Sequence, residues 1–248
     1  MKATTIALFV AINGTATHLL CAAIPGSGYE YAYNAGSNLL PDDTGGTQPA
    51  WNYYFGSPEY TSSATLMGGT LQINAPEQQY LIYRMGGGAP GSDGQSWNPV
   101  LSLGSTIEFK AQAIGGNQLH ALTVYTEENQ FIFTFGTSEI STFIFGDTAT
   151  ASYENTGGFH TYQINLTTDN TADVYIDGVY GFTANGSGVG SSNRLEFGNG
   201  NEALNGGVVN YEYIQWTNAG VRPIPEPSSV LMLISAVGCF AGYRSLRR

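Results

Sequence analysis

Two antiparallel β sheets packed face to face are the fold that the sequence predicts for residues 24–221, and three observations carry the prediction. Between residues 29 and 217, short runs of β-branched and aromatic residues alternate with Gly, Asn, Asp and Ser, and no window of ten or more shows helical periodicity. The chain of 248 residues holds 33 Gly and 31 aromatic residues but only 27 charged ones, 11% where soluble domains average roughly 25%. Helical bundles are disfavoured, because exposed helix faces are built from Lys, Glu, Arg and Gln. Disorder is disfavoured too, since 42% hydrophobic residues can bury a real core.

The chain opens with Lys2, an apolar run over residues 6–12 and the small-x-small triplet Cys21-Ala22-Ala23. This pattern predicts a secretory signal peptide over residues 1–23, with Gly14-Thr15-Ala16 as an earlier cleavage alternative. A lipid-anchored Cys21 fits less well, because Leu20 precedes it where a small residue is required.

Within the body, residues 107–113 alternate strictly. Ile107, Phe109, Ala111 and Ala113 share one face, and Glu108, Lys110 and Gln112 share the other, as in a half-buried strand. Phe131, Phe133 and Phe135 form a second apolar face; Tyr162, Ile164 and Leu166 form a third. Similar runs bring the expected total to about a dozen strands, enough for two stacked sheets. Asp177-Gly178 between two apolar runs is a two-residue hairpin turn requiring φ > 0 at both positions. Trp51 and Trp216 fall on core-facing positions by alternation.

From Gly158 to Trp216 the order is a strand, this hairpin, the Leu195-Glu-Phe-Gly198 run and a last strand with Tyr211, Tyr213, Ile214 and Trp216. That order resembles the C-terminal half of laminin-G and concanavalin A-like jelly rolls. The resemblance implies a two-sheet sandwich whose ligands meet loops at one edge or the concave face.

Catalytic machinery is not legible. Glycosidases need two facing carboxyls about 5–9.5 Å apart, and no Glu here has an Asp two residues on. Asp173 and Asp177 share a face but lie about 13 Å apart along an extended strand. Glu127 and Glu128 are adjacent and point to opposite faces. No Gly-x-Ser-x-Gly elbow and no His-Glu-x-x-His helix occurs. The protein is therefore expected not to be an enzyme. His160 shares parity with Tyr162, Ile164 and Leu166, and His120 with Leu122 and Val124, so both read as hydrogen-bonded histidines at the rim of the core. Gly86-Gly-Gly-Ala-Pro-Gly91 fits a phosphate-loop spacing formally, but no helix follows to receive phosphate.

That same loop carries Trp97, flanked by Asp93, Gln95 and Asn98. An exposed aromatic face with hydrogen-bonding neighbours suits a sugar, whereas a Trp97 folded back would plug the sandwich. Both readings stand at this point. No cofactor is implied; Ca²⁺ is left open by oxygen ligands at Asp42-Asp43, Asp93, Asp147 and Asp169-Asn170, none in a sequence that fixes a site. Two Asn-x-Ser/Thr sequences, at Asn165 and Asn185, match the N-glycosylation acceptor.

After a Pro-rich linker over residues 222–229 comes an apolar stretch from residue 230 to 243, then a basic end with Arg244, Arg247 and Arg248. The stretch is short for the about 20 residues that span a bilayer, yet a Pro-rich entry and an Arg-rich exit argue against a helix buried in the domain. The arginines would stay cytoplasmic while the body is outside. Pro225-Glu226-Pro227, the apolar segment and the Arg cluster resemble the PEP-CTERM sorting signal of bacterial exopolysaccharide-associated proteins. The resemblance implies that residues 230–248 are a temporary transmembrane anchor, processed near Pro225-Glu226-Pro227 by a membrane enzyme, exosortase, with release to the cell surface or matrix.

Without its two ends the body holds three cations (Arg84, Lys110, Arg194) against 18 carboxylates, every one of the chain's 19 except Glu226, a formal charge of about −15. Nucleic acid and anionic lipid are poor partners for that field. Cys21 and Cys239 both lie outside residues 24–221, so the body folds without a disulfide. Three classes follow: an exported sandwich that binds extracellular polysaccharide, a structural or adhesive surface protein, and a polysaccharide-active enzyme. Trp97 and its neighbours favour the first.

Overall fold

The structure, a computed structural model, describes residues 28–43, 51–54, 63–75, 81–86, 97–115, 119–142, 149–153, 157–167, 170–188, 190, 192–199 and 207–222. The expected signal peptide, the Pro225-Glu226-Pro227 linker, the apolar tail with Arg244, Arg247 and Arg248, and the loop residues Asp93 and Gln95 lie outside the described residues. Among the described residues, no helix is long and apolar enough to cross a membrane.

Fifteen strands are described: β1 (Tyr31–Asn34), β2 (Asn52–Tyr54), β3 (Ser63–Met67), β4 (Thr70–Ala75), β5 (Leu81–Gly86), β6 (Ser105–Gly115), β7 (Leu119–Tyr125) and β8 (Gln130–Phe135). They continue with β9 (Glu139–Thr142), β10 (Thr150–Ser152), β11 (His160–Leu166), β12 (Thr171–Ile176), β13 (Val179–Asn185), β14 (Arg194–Asn199) and β15 (Gly207–Thr217). Beyond these, the described residues contain only two 3-10 turns, Ala35–Ser37 and Leu101–Leu103.

The strands form two antiparallel sheets. The first runs β13-β12-β11-β6-β15-β4-β3, with β1 also paired to β15; the second runs β10-β9-β8-β7-β14-β5-β2. The chain crosses between sheets repeatedly, so that β6 and β4 flank β15, and β7 and β5 flank β14. This interleaving makes the sandwich of the sequence reading and places strands distant in sequence at its centre.

Between the sheets the core is aromatic. Phe197 of β14 meets Trp51 edge-on at 4.7 Å, Tyr211 edge-on at 5.2 Å and Tyr83 in a stack at 5.5 Å. Trp51 in turn meets Trp216 edge-on at 5.6 Å. Such pairs add about 0.5–1.5 kcal/mol each beyond the burial of their area. Trp51 and Trp216 are thus core residues, as alternation predicts.

Strand β6 departs from the half-buried pattern. Its predicted core face is buried, but Glu108 on the opposite face is also only 6% exposed. Its carboxylate accepts hydrogen bonds from Tyr213 (2.9 Å), Gln215 (2.7 Å) and Tyr29 (3.1 Å). Residues 28–30 and 218–222 lie across this outer face: the Arg222 N–H donates to Thr106 Oγ1 and the Gln163 side chain donates to the Arg222 carbonyl. A buried carboxylate is retained because three donors replace its water. Gly28 lies against the Arg222 guanidinium, so the described chain enters and leaves at one place.

Candidate functional site at the seam of the two sheets

The hairpin β12–β13 is built as the sequence requires. Ile176 pairs with Val179, and the two intervening residues both adopt positive φ, 49° at Asp177 and 79° at Gly178. Asp and Gly suit these angles at little cost, which fixes the register of the turn. Further along, Val174 pairs with Phe182 and Tyr175 with Tyr180, so Gly181 is an extra residue in β13. A Cβ at Gly181 would stand 3.3 Å from the Val174 carbonyl and 3.5 Å from the Ala151 Cβ. The bare glycine lets β10, the edge of the second sheet, approach β13, the edge of the first.

Where these edges meet, three polar side chains converge. Register places Tyr162 opposite Ile176, so His160 and Asp177 stand side by side at the same end of β11 and β12. His160 Nδ1 lies 2.8 Å from Asp177 Oδ2 and 2.9 Å from the Tyr153 hydroxyl, and the Thr161 N–H donates to Asp177 Oδ1 at 2.9 Å. The Tyr153 hydroxyl, arriving just past β10, donates to Asp177 Oδ2 in a short contact. Because a carboxylate only accepts, the neutral His160 must carry its proton on Nδ1. Its Nε2 is buried without a hydrogen-bond partner, and the ring stands edge-on to Tyr153 at 4.6 Å.

The electrostatics follow from burial and these bonds. Partial burial works against charge on Asp177, yet the Tyr153 hydroxyl, the Thr161 N–H and His160 outweigh it and hold the carboxyl below its ordinary range. Burial first, then the hydrogen bond to Asp177 and its charge, push the Tyr153 hydroxyl well above the usual tyrosine range. An unfolded chain therefore takes up a proton at Asp177 before the folded one does, so this group stabilises the fold above pH 3.8 and its contribution disappears as pH falls through the lower, folded value. Thermal midpoints measured across the acid range should fall more for the parent than for Asp177→Asn, since Asn keeps the turn and cannot titrate. Parallel curves would contradict this.

A groove of about 280 Å³ opens over the cluster, lined by Ala151, Ser152 and Tyr153 from one edge and by Ile176, Asp177, Val179, Tyr180 and Gly181 from the other. Val179 and Tyr180 are 60% and 55% exposed. Tyr180 stands edge-on to Tyr175 at 5.7 Å; its hydroxyl bonds Thr183, which donates to Asp173 at 2.5 Å. The groove thus joins an apolar, aromatic wall to a carboxylate and hydroxyl groups.

Of the residues singled out in the loop, Trp97 corrects one of its two readings. It is 1% exposed, and its Nε1 donates to the Tyr125 carbonyl at 2.9 Å. The ring plugs the end of the sandwich and offers no face to a sugar, because the strand end supplies both its hydrogen-bond acceptor and its packing. Asn98 is exposed: its N–H donates to Asn218 Oδ1 and its side-chain oxygen accepts from Asn193. It lines a second cleft, of about 240 Å³, with Thr126, Glu127, Glu128, Asn193, Pro99 and Leu101. Asp93 and Gln95 lie outside the described residues, as do Asp147 and Asp169. Asp42 and Asp43 are exposed, and among the described residues no three His, Cys, Asp or Glu side chains are grouped to hold a metal. His160 is a hydrogen-bonded rim histidine, as expected; its link to Tyr153 was missed, because Tyr153 arrives from the other sheet.

No family model matches the chain, and no curated protein matches it. Among solved structures it is similar to the Trypanosoma rangeli sialidase in complex with 2,3-difluorosialic acid, with a TM-score of 0.55 and 11% identity over 82% of this chain and 35% of that one. It is also similar to a carbohydrate esterase from the Shiga toxin-encoding bacteriophage phi24B (TM-score 0.51, 12% identity, 77% of this chain and 98% of that one). A third likeness is to the botulinum neurotoxin serotype G binding domain (TM-score 0.50, 13% identity, 83% and 51%). The chain spans about a third of the sialidase and about half of the toxin domain. At these identities the likeness establishes the sandwich alone.

Proposed function

We propose that the body is an exported, non-catalytic sandwich that associates with extracellular polysaccharide through the groove between β10 and β13. The observation that carries this reading is the exposed Tyr180 and Val179 wall beside the Asp177 carboxylate and Tyr153, the pairing of an aromatic face with hydrogen-bonding groups that a sugar ring requires. Two of the solved structures named above, the sialidase and the carbohydrate esterase, act on carbohydrates by their names, which supports the ligand class.

The Tyr153–His160–Asp177 cluster is better suited to holding the groove than to chemistry. A general base must reach the proton it removes, and His160 Nε2 is buried. A nucleophile needs a lowered pKa, whereas that of Tyr153 is raised.

Pro225, Glu226, Pro227 and the terminal arginines are the residues proposed to direct exosortase processing. Two measurements test the proposal. Protein recovered outside the cell should have an intact mass lacking everything beyond the Pro225-Glu226-Pro227 region, and it should be retained by polysaccharide with or without a chelator. Extracellular protein ending at Arg248 contradicts the sorting, and failure to bind any polysaccharide contradicts the ligand class.

A further inference from the structure

Resting on the groove as the glycan site, we infer that it selects amino sugars: its ligand is a polysaccharide bearing free, protonated amines, and acidic polysaccharides are rejected. Charge decides this locally. The Asp177 carboxylate has about four acceptor positions, of which Thr161, His160 and Tyr153 occupy three, and its side chain is 43% exposed. One position remains for a donor from the groove. On the far side of the Tyr175–Tyr180 pair stands a second carboxylate, Asp173, reached through Thr183. An exposed carboxylate, Asp177, and a half-buried one, Asp173, thus bracket aromatic rings, and ring faces favour a cation.

No cation answers them. Residues 24–222 contain four, all described: Arg84, Lys110, Arg194 and Arg222. Arg84 and Arg194 both meet Glu196 on the second sheet, at 2.5 and 3.0 Å, and Arg194 lies over the Tyr125 ring. Arg222 has its backbone against Thr106 and Gln163 of β6 and β11 and its guanidinium over Tyr29, and it does not line the groove. Lys110 is the nearest in register, opposite Thr161, but it pairs with Glu212 at 2.7 Å and does not line the groove. A sugar carboxylate placed in the groove would face Asp177 with no compensating charge, although the sialidase of similar fold is complexed with an acidic sugar. The formal charge of the body, about −15, draws a polycation toward the surface and repels a polyanion.

The test compares three hexamers by calorimetry on the exported protein in mildly acidic buffer: β-1,4-linked glucosamine, its N-acetylated counterpart, and galacturonate. The glucosamine hexamer should bind tighter than the acetylated one by about tenfold, the difference made by one charge-assisted hydrogen bond, and galacturonate should bind least. In Asp177→Asn the preference for the glucosamine hexamer over the acetylated one should collapse toward parity. Asp173→Asn serves as a second variant should the first fold poorly. Equal binding of the two glucosamine hexamers, or tighter binding of galacturonate, overturns the selectivity and leaves the glycan site standing. A preference unchanged in both variants overturns it too, by assigning the effect to net charge alone. Binding of none of the three overturns the selectivity and the glycan site together.

Discussion

Replacing Trp97 with alanine lowers the stability of the sandwich by about 3–5 kcal/mol, and the thermal midpoint by roughly 10 °C, because a fully buried indole leaves a cavity that the surrounding strands cannot close. Part of the loss is polar. The indole Nε1 donates to the Tyr125 carbonyl at the end of β7, and Trp97→Phe, which keeps an aromatic plug but drops that bond, should cost about 1 kcal/mol for the bond, plus a packing loss smaller than that of alanine. Calorimetric unfolding of the parent and the two variants orders them. An alanine variant as stable as the parent would return Trp97 to the surface.

Tyr180→Ala should do the opposite. The ring is 55% exposed and packs mainly against Tyr175, so its removal should leave stability within about 0.5 kcal/mol of the parent. Polysaccharide binding, by contrast, should weaken by about tenfold or more, since an aromatic anchor at the centre of a small site carries much of its energy. The paired measurement separates a ligand platform from a structural side chain: lost stability with retained binding would identify Tyr180 as structural.

How much of this was legible depends on the range of the interactions concerned. The Asp177-Gly178 turn was readable because its requirement, two positive φ angles, is met by the two residues themselves. The inward face of β6 was readable for the same reason, since alternation is a property of one strand. The burial of Glu108 was not, because its covering donors lie 79, 105 and 107 residues away. Trp97 sits in an irregular segment, where no periodicity tells inside from outside, and the acceptor that fixes it is 28 residues on.

The candidate site failed to show for a compound reason. His160 and Asp177 meet only once β11 and β12 are set in register, and Tyr153 joins them only because Gly181 admits the edge of the other sheet. A signal was present in part: an Asp at the first position of the hairpin turn, and a His two residues before the Tyr that pairs with Ile176, the residue ahead of that Asp. The turn alone accounts for an Asp at that position, so its second role, bonding His160, is not legible from the sequence.

The groove and the cleft at Asn98 lie at opposite ends of the domain, so the location of a bound sugar is the most direct test of the account. Amide resonances followed by nuclear magnetic resonance during titration with the glucosamine hexamer should shift at Ala151–Tyr153 and Ile176–Gly181 and remain still at Asn98, Glu127, Glu128 and Asn193. Shifts confined to the Asn98 cleft, with residues 176–181 unmoved, would contradict the assignment of the site to the seam between β10 and β13.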